Sequence, residues 1–281
     1  MDNSDICAVV VCYNPDSDVV GNIATYGTHV HTLYLIDNSQ PQQALDVASL
    51  PGNVRILSHG KNIGIAAALN LALKQAEADG YRWLLTMDQD TSFEAGQLER
   101  LFKCRRYLSA DKLLLVSPRH TPLKWLPEDE CRFESTEVVM TSGNLVFIPH
   151  AVAIGGYDER LFIDEVDHEF CLRGHMAGYA PMLLSSVCVD HRLGVLKEYR
   201  GKAIRLYTSE RIYYMIRNYL YIRQKYRQSF PDFFRKRSRH LLKFFLSHML
   251  YSDQKLSVVS KFLKGWYDYH AKRFGPIGKI R

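Results

Sequence analysis

The chain has 281 residues, of which 47% are hydrophobic and 23% charged, so it is long enough for one large domain or a domain with an appendage. It contains no run of about 18 apolar residues, and its N-terminus carries acids where a signal peptide is basic, so neither a transmembrane helix nor a secretory leader is expected. The net charge of +6 is uneven, because residues 1–196 carry 15 Lys+Arg against 25 Asp+Glu, whereas residues 197–281 carry 21 against 5.

Short apolar runs alternate with a helical pattern in the first part of the chain. The runs at 6–13, 31–38, 53–59 and 82–87 are typical of buried strands in a parallel sheet. Between the last two runs, residues 62–80 repeat apolar side chains at helical spacing. This alternation predicts an α/β domain with a mostly parallel sheet flanked by helices.

Three further strands are predicted at 112–118, 137–149 and 181–191, with an acidic helical stretch at 163–179. Beyond residue 200 the chain changes to long basic and aromatic segments with a helical pattern. The change of charge near residue 197 separates the α/β part of the chain from the basic helical part. It is the only sequence feature that marks a domain boundary, since no linker of low complexity occurs.

The six cysteines are scattered along the chain, and none forms a C-x-x-C pair. Several of them lie within apolar runs. This distribution predicts reduced thiols in the core of a cytoplasmic protein. Their positions are Cys7, Cys12, Cys104, Cys131, Cys171 and Cys188.

Two acids, Asp88 and Asp90, follow the apolar run at 82–87 and are separated by Gln89. Ligands of open parallel sheets bind outside the carboxyl ends of the strands. Carboxylates on such a turn suit a hard divalent cation that bridges to substrate phosphates. The alternative is an ordinary turn whose acids cap a helix.

Polar residues also mark the ends of neighbouring predicted elements. Asp37 ends the run at 31–38, where an acid can accept hydrogen bonds from a nucleobase or a ribose. Asn62 and Gly64 open the helix predicted at 62–80, and a helix N-terminus of this kind favours an anion or a nucleotide. Tight packing of helix on sheet is the alternative for these small residues.

Several motifs occur in order and carry a family resemblance. The motifs are VVCYNPD, LIDNS, KNIGIAAALN and MDQDT. Through them the chain resembles the family 2 glycosyltransferases, which implies the GT-A nucleotide-diphospho-sugar transferase fold over residues 1–197, followed by a helical C-terminal appendage over 198–281. The pairing of GIAAALN with DQD, the segment that begins TSGNLVFIP and the motif HRLG resemble the bacterial rhamnosyltransferase branch.

The resemblance implies roles for particular residues and a divalent cation, Mg or Mn, as cofactor. It assigns Asp90 as the direct metal ligand, accompanied by Asp88 and His191. The residues implied on the donor side are Tyr13, Asn14, Asp37, Asn62, Gly64 and Asp88, and those on the acceptor side are Gly143, Asn144 and Glu169.

Inverting sugar transfer needs a base that takes the proton of the acceptor hydroxyl. On a helix, Asp164 and Asp167 share a face. By its distance from CLR, Asp167 matches the acid of the family, but Val166 stands where many relatives have Glu, so Asp164 remains a competitor. Glu169 stands four residues before Arg173 and fits a helical ion pair. A solvated acidic face is the alternative for the whole segment.

The C-terminal region interleaves basic residues with aromatic ones at 203–228 and again at 233–245. Such segments suit the surface of an anionic membrane. An ordinary helical cap that leaves its charges in water is equally open. No known nucleic-acid-binding module occurs, and nucleic acid is not an expected partner.

The resemblance therefore implies an inverting glycosyltransferase that moves L-rhamnose from dTDP-L-rhamnose onto a glycan acceptor, which is a lipid-linked surface polysaccharide or an O-antigen. The expected location is the cytoplasm, peripheral on the inner face of the cell membrane. The alternatives are a family 2 transferase that uses another nucleotide-sugar and a catalytically silent protein that binds one. The chain retains the acids that catalysis requires, which argues against a catalytically silent protein. They are Asp37, Asp88, Asp90 and Asp167.

Overall fold

The computed structural model describes residues 3–40, 47–57, 60–120, 130–191, 195–199 and 202–278. The chain divides into two compact units. The sheet unit comprises Met1–Tyr157 and Phe170–Arg192, and the helical unit comprises Asp158–Glu169 and Leu193–Arg281. The helical unit thus begins close to the predicted boundary at 197 and also takes in the acidic segment, while the boundary itself stays a prediction.

The described residues of the sheet unit form ten strands. They are β1 (Ile6–Cys12), β2 (Thr32–Asp37), β3 (Val54–Ile56), β4 (Trp83–Asp88), β5 (Thr91–Ser92), β6 (Leu113–Arg119), β7 (Phe133–Ser135), β8 (Asn144–Phe147), β9 (Ala180–Cys188) and β10 (Asp190–His191). Eight of them form one sheet in the order β3-β2-β1-β4-β8-β6-β9-β7, and β5 pairs separately with β10.

The neighbours β1, β2, β3 and β4 run parallel, and β6 and β9 are also parallel to each other. Two strands of the large sheet run antiparallel to their neighbours in the described residues. Strand β8 pairs with β4 and β6, and β7 pairs with β9. Every residue of β1 and β2 is buried, as expected for parallel strands whose two faces are covered. The predicted fold class, a mostly parallel sheet flanked by helices, is confirmed.

The helices of this part of the chain are α1 (Asp18–Ala24), α2 (Ile65–Ala78), α3 (Gln97–Cys104), α4 (Ile148–Ala153) and α5 (Val166–Met176). Helix α2 confirms the helix predicted at 62–80, and its buried face combines Leu69 and Leu73 with four alanines. Small side chains on that face allow the helix to pack closely, and this packing places its N-terminus at the sheet edge that is discussed below.

The strand predicted at 137–149 is shorter than expected. Only β8 is extended, because Gly143 precedes it with a φ of 79° and the helix α4 follows at once. Pro149 lies in the first turn of α4, where the missing N–H of proline leaves no hydrogen bond unmade.

The helical unit contains the strands β11 (Val195–Tyr199) and β12 (Lys202–Leu206) and the helices α6 (Ser209–Tyr226), α7 (Pro231–Tyr251) and α8 (Lys255–His270). The C-terminal helices are confirmed, but the helical pattern predicted from residue 203 is wrong at its start, since β11 and β12 form an antiparallel hairpin there. Within the described part of the chain, no helix is both long enough and apolar enough to span a bilayer.

Two of the cysteines predicted to be reduced are joined in a disulfide, Cys104 with Cys131. The remaining four are buried and form no disulfide among the described residues, as expected. The bonded pair lies 27 residues apart in sequence. A pairing of this kind depends on how the chain folds back on itself, and sequence spacing alone does not reveal it.

Candidate functional site

The carboxyl ends of β1, β2 and β4 lie side by side in the sheet unit. Strand pairing sets Cys12 of β1 opposite Asp37 of β2, and Val11 of β1 opposite Asp88 of β4. The two acids that sequence reasoning placed at strand ends therefore occupy the same edge of the sheet, where ligands of parallel sheets bind.

Asp88, Asp90 and His191 form a cluster at this edge. The Nε2 atom of His191 lies 3.3 Å from an oxygen of Asp90 and 3.8 Å from an oxygen of Asp88. One ligand atom from each residue falls within 4.8 Å of the others, close enough to surround one metal ion. Two carboxylates and an imidazole form a donor set that accepts Mn²⁺ and, with water, Mg²⁺.

The short pairing of β5 with β10 brings the histidine to the acids. His191 lies opposite Thr91, the residue that follows Asp90, and Asp190 lies opposite Ser92. The side chain of His191 is only 7% exposed, which restricts the orientations open to its ring.

Two residues that the sequence analysis did not select hold the turn of the acids in place. The backbone N–H of Tyr13 donates to the side-chain oxygen of Gln89 at 2.7 Å, and the amide of Gln89 donates back to the carbonyl of Tyr13. The N–H of Asp88 donates to the hydroxyl of Ser142 at 2.9 Å. Gln89 lies between the two acids and Ser142 lies in TSGN, so both belonged to motifs already noticed.

A second histidine, His120, contacts the metal-side histidine and was also missed by the sequence analysis. The Nδ1 atoms of His120 and His191 are 3.2 Å apart. Burial lowers the pKa of His120 to about 4, and the nearby ring of His191 acts in the same direction. No local motif marks His120, which follows β6.

Asp37 offers a buried acceptor for a ligand. One of its oxygens accepts from the N–H of Ser39 at 2.8 Å, while the other is buried without a hydrogen-bond partner among the described residues. The side-chain amide of Asn38 donates to the carbonyl of Gly64. This contact joins the end of β2 to the N-terminus of α2.

The other residues predicted on the donor side surround Asp37 through their loops. The oxygen of Asn62 accepts from the N–H of Gly64 at 2.9 Å, and the N–H of Asn14 donates to the hydroxyl of Ser39 at 2.7 Å. Tyr13 keeps 53% of its surface exposed. An exposed ring at the rim and an unsatisfied carboxylate oxygen inside are suited to a nucleotide.

The loop predicted on the acceptor side lies beside β4. The N–H of Gly143 donates to the carbonyl of Thr86 at 2.7 Å, and a Cβ at Gly143 would lie 2.8 Å from the ring of Pro118. Asn144 is buried and donates to the carbonyl of Met140, while its side-chain oxygen has no partner among the described residues.

The acidic segment of the helical unit differs from the predicted helix at its start. Helix α5 begins at Val166, and the preceding Asp164 and Glu165 have φ angles of 63° and 62°. A left-handed backbone cannot continue an α-helix. The expectation that Asp164 shares a helical face with Asp167 is therefore wrong.

Three of the four acids are buried and paired with cations from α6 and α7. Asp164 binds Arg211 with an oxygen–nitrogen distance of 2.5 Å, and Glu165 binds Arg237 and His168. Glu169 accepts from Lys225 at 3.0 Å and from the hydroxyl of Tyr226 at 2.7 Å. A solvated acidic face is excluded for these three acids.

The buried pairs alter the proton affinities of the acids. Burial would raise the pKa of Glu165, but the charges of Arg237 and His168 outweigh it and lower the pKa to about 2. For Asp164 the balance is reversed, because burial raises its pKa although Arg211 acts against the change.

Asp167 is the exception among these acids. One oxygen accepts from the backbone N–H of the adjacent His168, and among the described residues no cation lies within 4.0 Å of its carboxylate. As whole residues, Asp167 and Asp164 are both half-buried. A carboxylate without an ion pair can take up a proton without breaking one.

Comparison with known proteins gives matches to sugar transferases. Residues 9–104 match the family Glycosyl transferase family 2. The dTDP-rhamnosyl transferase RfbF of Shigella flexneri is 25% identical over 237 residues, which cover 77% of this chain and 79% of that protein.

Two solved structures share the fold. One is GalNAc-T7 with UDP, GalNAc and Mn²⁺, at a TM-score of 0.58 and 13% identity, where the match covers 95% of this chain and 57% of that one. The other is residues 1–349 of S. aureus TarS with UDP-GlcNAc, at a TM-score of 0.54 and 15% identity, where the match covers 94% of this chain and 80% of that one. The shared architecture is the GT-A fold, as the sequence motifs implied.

Proposed function

We propose that the chain is a family 2 glycosyltransferase, the family that residues 9–104 match, and that it transfers L-rhamnose from dTDP-L-rhamnose, with inversion, onto a lipid-linked surface polysaccharide or O-antigen. The observation that carries the proposal is the cluster of Asp88, Asp90 and His191 at the same sheet edge as the unsatisfied carboxylate of Asp37. The likeness to RfbF supports rhamnose as the sugar.

The metal site is assigned to Asp88, Asp90 and His191, whose donor atoms fit Mn²⁺ or Mg²⁺. A divalent cation there supplies positive charge for the departing diphosphate. The crystal structure of GalNAc-T7 holds Mn²⁺ together with UDP, which agrees with this assignment.

The nucleotide is assigned to Asp37 and the loops around it. The free oxygen of Asp37 accepts a hydrogen bond from the base or the ribose, and the N-terminus of α2 after Asn62 and Gly64 favours the negative charge of the donor. TarS binds UDP-GlcNAc, so a nucleotide-sugar other than dTDP-rhamnose is the leading alternative.

We assign the base to Asp167, since among the described residues it is the acid of this segment that forms no ion pair. Asp164 is held by Arg211, and its proton uptake would break that pair. Glu169 is fully buried and held by Lys225 and Tyr226, so we assign it a supporting role in place of direct contact with the acceptor.

We also infer that α7 contacts the anionic membrane surface. Leu242, Leu246 and Leu250 recur every four residues along one face of α7 and are 59%, 49% and 66% exposed. Exposed cations precede and flank this stripe, namely Arg235, Lys236, Arg239 and Lys243. Arg237, which the sequence grouped with them, is bound to Glu165 and does not contribute to this surface.

The donor assignment is tested by thermal unfolding with dTDP, dTDP-rhamnose, UDP-GlcNAc and GDP-mannose, each with and without Mn²⁺, and by release of dTDP. We expect the largest rise of Tm with dTDP-rhamnose and Mn²⁺, since a ligand that binds the native state raises Tm. We expect Asp37→Asn to lose most of that rise and Asp111→Asn, an exposed acid on a turn, to keep it.

Three other outcomes separate the alternatives. A larger rise with UDP-GlcNAc or GDP-mannose rejects rhamnose and retains the family. Binding of dTDP-rhamnose without any turnover in the presence of membrane extract favours a silent binding protein. The absence of a shift with every nucleotide-sugar rejects the proposed donor site.

A further inference from the structure

The contact between His120 and His191 joins a residue without an assigned role to the proposed metal site. Their Nδ1 atoms are 3.2 Å apart, and the ring centroids are 5.3 Å apart. On its other side, Nε2 of His191 faces Asp90 and Asp88. His191 thus lies between His120 and the acids.

The chemistry of imidazole restricts how the protons are arranged. A hydrogen bond between two Nδ1 atoms needs one donor and one acceptor, and a neutral imidazole carries a single ring proton. A metal ligand must offer a lone pair, so Nε2 of His191 is free for a cation only when its proton is on Nδ1. That proton then points at Nδ1 of His120.

The acceptor must in turn keep Nδ1 unprotonated. A neutral His120 then carries its proton on Nε2, which is buried and has no hydrogen-bond partner by distance and angle among the described residues, while the backbone of Ser142 acts to raise the pKa of the ring. The contact with His191 at Nδ1 is a hydrogen bond that orients the ring of His120.

We propose that His120 is a positioning residue, which accepts the Nδ1–H of His191 and so holds His191 in the tautomer whose Nε2 binds the divalent cation. The inference rests on the metal site of the proposed function and adds the group that prepares one ligand. His120 itself contacts neither the cation nor the sugar. Partners of this kind fix the tautomer and the ring orientation of metal-binding histidines.

The test uses Mn²⁺ as the probe, with saturating dTDP, on the full chain. Affinity is measured from the decrease of the free-Mn²⁺ EPR signal, and histidine ligation from ¹⁴N modulation in the electron spin echo of bound Mn²⁺. His120→Phe removes the acceptor. We expect Mn²⁺ affinity to fall about 10- to 100-fold, the range seen when outer partners of metal ligands are lost, together with loss of the ¹⁴N signal.

Two substitutions separate the hydrogen bond from the general effect of a mutation. The side-chain oxygen of His120→Asn reaches the position of Nδ1, so we expect it to restore both affinity and ¹⁴N signal, whereas His120→Gln places its oxygen near the position of Nε2 and should not restore them. The matched control is His150→Phe, because Nδ1 of His150 contacts the carbonyl of Leu113 and none of the cluster.

The outcomes distinguish this inference from the proposed function. Native affinity with an intact ¹⁴N signal in His120→Phe overturns the role of His120, as does equal loss in the Asn and Gln variants. If the native protein binds Mn²⁺ without ¹⁴N modulation, His191 is not a ligand and the inference fails, while a site made by the two acids stands. If native protein with dTDP binds no Mn²⁺, the proposed metal site fails with it. Should His120→Phe not fold, the comparison of Asn with Gln decides.

Discussion

The acids from Asp164 to Glu169 show how neighbouring residues of one type acquire different chemistry. Asp164, Glu165 and Glu169 neutralise Arg211, Arg237 and Lys225, and each of these acids is buried. An acid in such a pair is part of the structure, since its removal leaves a charge without its partner. Among the described residues, Asp167 forms no ion pair, so its removal leaves no partner charge exposed.

The first prediction separates the two candidate bases. Asp167→Asn should reduce transfer by about 100- to 10,000-fold, the usual effect of removing a general base, while dTDP-rhamnose binding and Tm stay near native. Asp164→Asn should lower Tm, because Arg211 loses its partner, and should affect transfer less. Turnover with one acceptor and thermal unfolding are measured on both variants. A folded, inactive Asp164→Asn beside an active Asp167→Asn would identify Asp164 as the base.

The second prediction concerns Glu165 and acid stability. Its pKa is lowered from 4.5 to about 2 in the folded state, so its contribution to the free energy of unfolding is present above pH 4.5 and is lost as the pH falls toward 2. At about 1.36 kcal/mol per pKa unit, the contribution of Glu165 to the free energy of unfolding is on the order of 3 kcal/mol. The stability difference between native protein and Glu165→Gln should therefore shrink as the pH falls below 4.5.

Urea unfolding between pH 7 and 3 measures this difference. The control is Glu77→Gln, on the exposed side of α2, for which the difference should stay small at every pH. A gap between native protein and Glu165→Gln that is constant over this range would mean that the pair with Arg237 does not control the titration of Glu165.

At the scale of elements, the contact of α6 with α8 depends on a glycine. A Cβ at Gly265 of α8 would lie 2.6 Å from the carbonyl oxygen of Tyr213 in α6. Beside this close approach, the hydroxyl of Tyr213 donates to Asp268 at 2.8 Å. The two helix backbones can approach this closely only because residue 265 has no side chain.

The third prediction follows from that contact. Gly265→Ala should destabilise the protein by about 1–3 kcal/mol, because the helices must move apart to admit a methyl group. Gly21→Ala in α1 has no atom within 4 Å of its new Cβ, so it should stabilise by roughly 0.5–1 kcal/mol through helix propensity. Urea midpoints are measured for both. Equal effects of the same sign would show that the close approach does not limit position 265.

At the scale of the whole molecule, the uneven charge has a structural counterpart. Of the 21 Lys+Arg in residues 197–281, several are used inside the helical unit, as Arg211, Lys225 and Arg237 show. Exposed cations remain on α7 around the leucine stripe formed by Leu242, Leu246 and Leu250. If a second copy of this chain packed on the stripe through the same surface, the positive charges of the two copies would repel each other. An anionic bilayer is therefore the favoured partner.

The fourth prediction tests this surface with vesicles of phosphatidylglycerol and phosphatidylcholine. Replacing Arg235, Lys236 and Arg239 by Gln should reduce partition by about 10- to 100-fold, at roughly 1 kcal/mol per charge with a discount for the pair of Arg235 with Asp232. Added salt should also reduce the partition of the native protein onto the vesicles, because it screens the attraction between charges. Replacing Leu246 and Leu250 by Ser should reduce partition at high salt as well.

The matched control for the vesicle experiment removes three exposed cations of the sheet unit, Lys74, Lys103 and Lys112, each replaced by Gln. It changes the net charge equally and should leave partition near native. If both triple variants lose binding to the same extent, overall charge governs adsorption and α7 has no special role. If neither does, α7 is a surface of the helical unit without membrane contact.

The sequence by itself determined the elements whose signal is local. Buried strands such as β1 and β2 are continuous apolar runs, and the helix at 62–80 repeats at a helical period, so both were predicted close to their observed bounds. The acids Asp88 and Asp90 were recognised because parallel strands end in ligand sites. The residue at the carboxyl end of a strand can be identified from the local sequence, because it does not depend on strand order or on packing.

The tertiary structure decided how distant residues meet. The family resemblance had grouped His191 with Asp88 and Asp90, but only the structure shows that His191 reaches Asp90 through a two-residue pairing of β5 with β10, and that His120 reaches His191 from a position 71 residues earlier. The disulfide between Cys104 and Cys131 has the same origin. Periodicity specifies the conformation and the buried face of each segment, but contacts between segments follow from strand order and helix packing, which depend on the free energy of the whole fold.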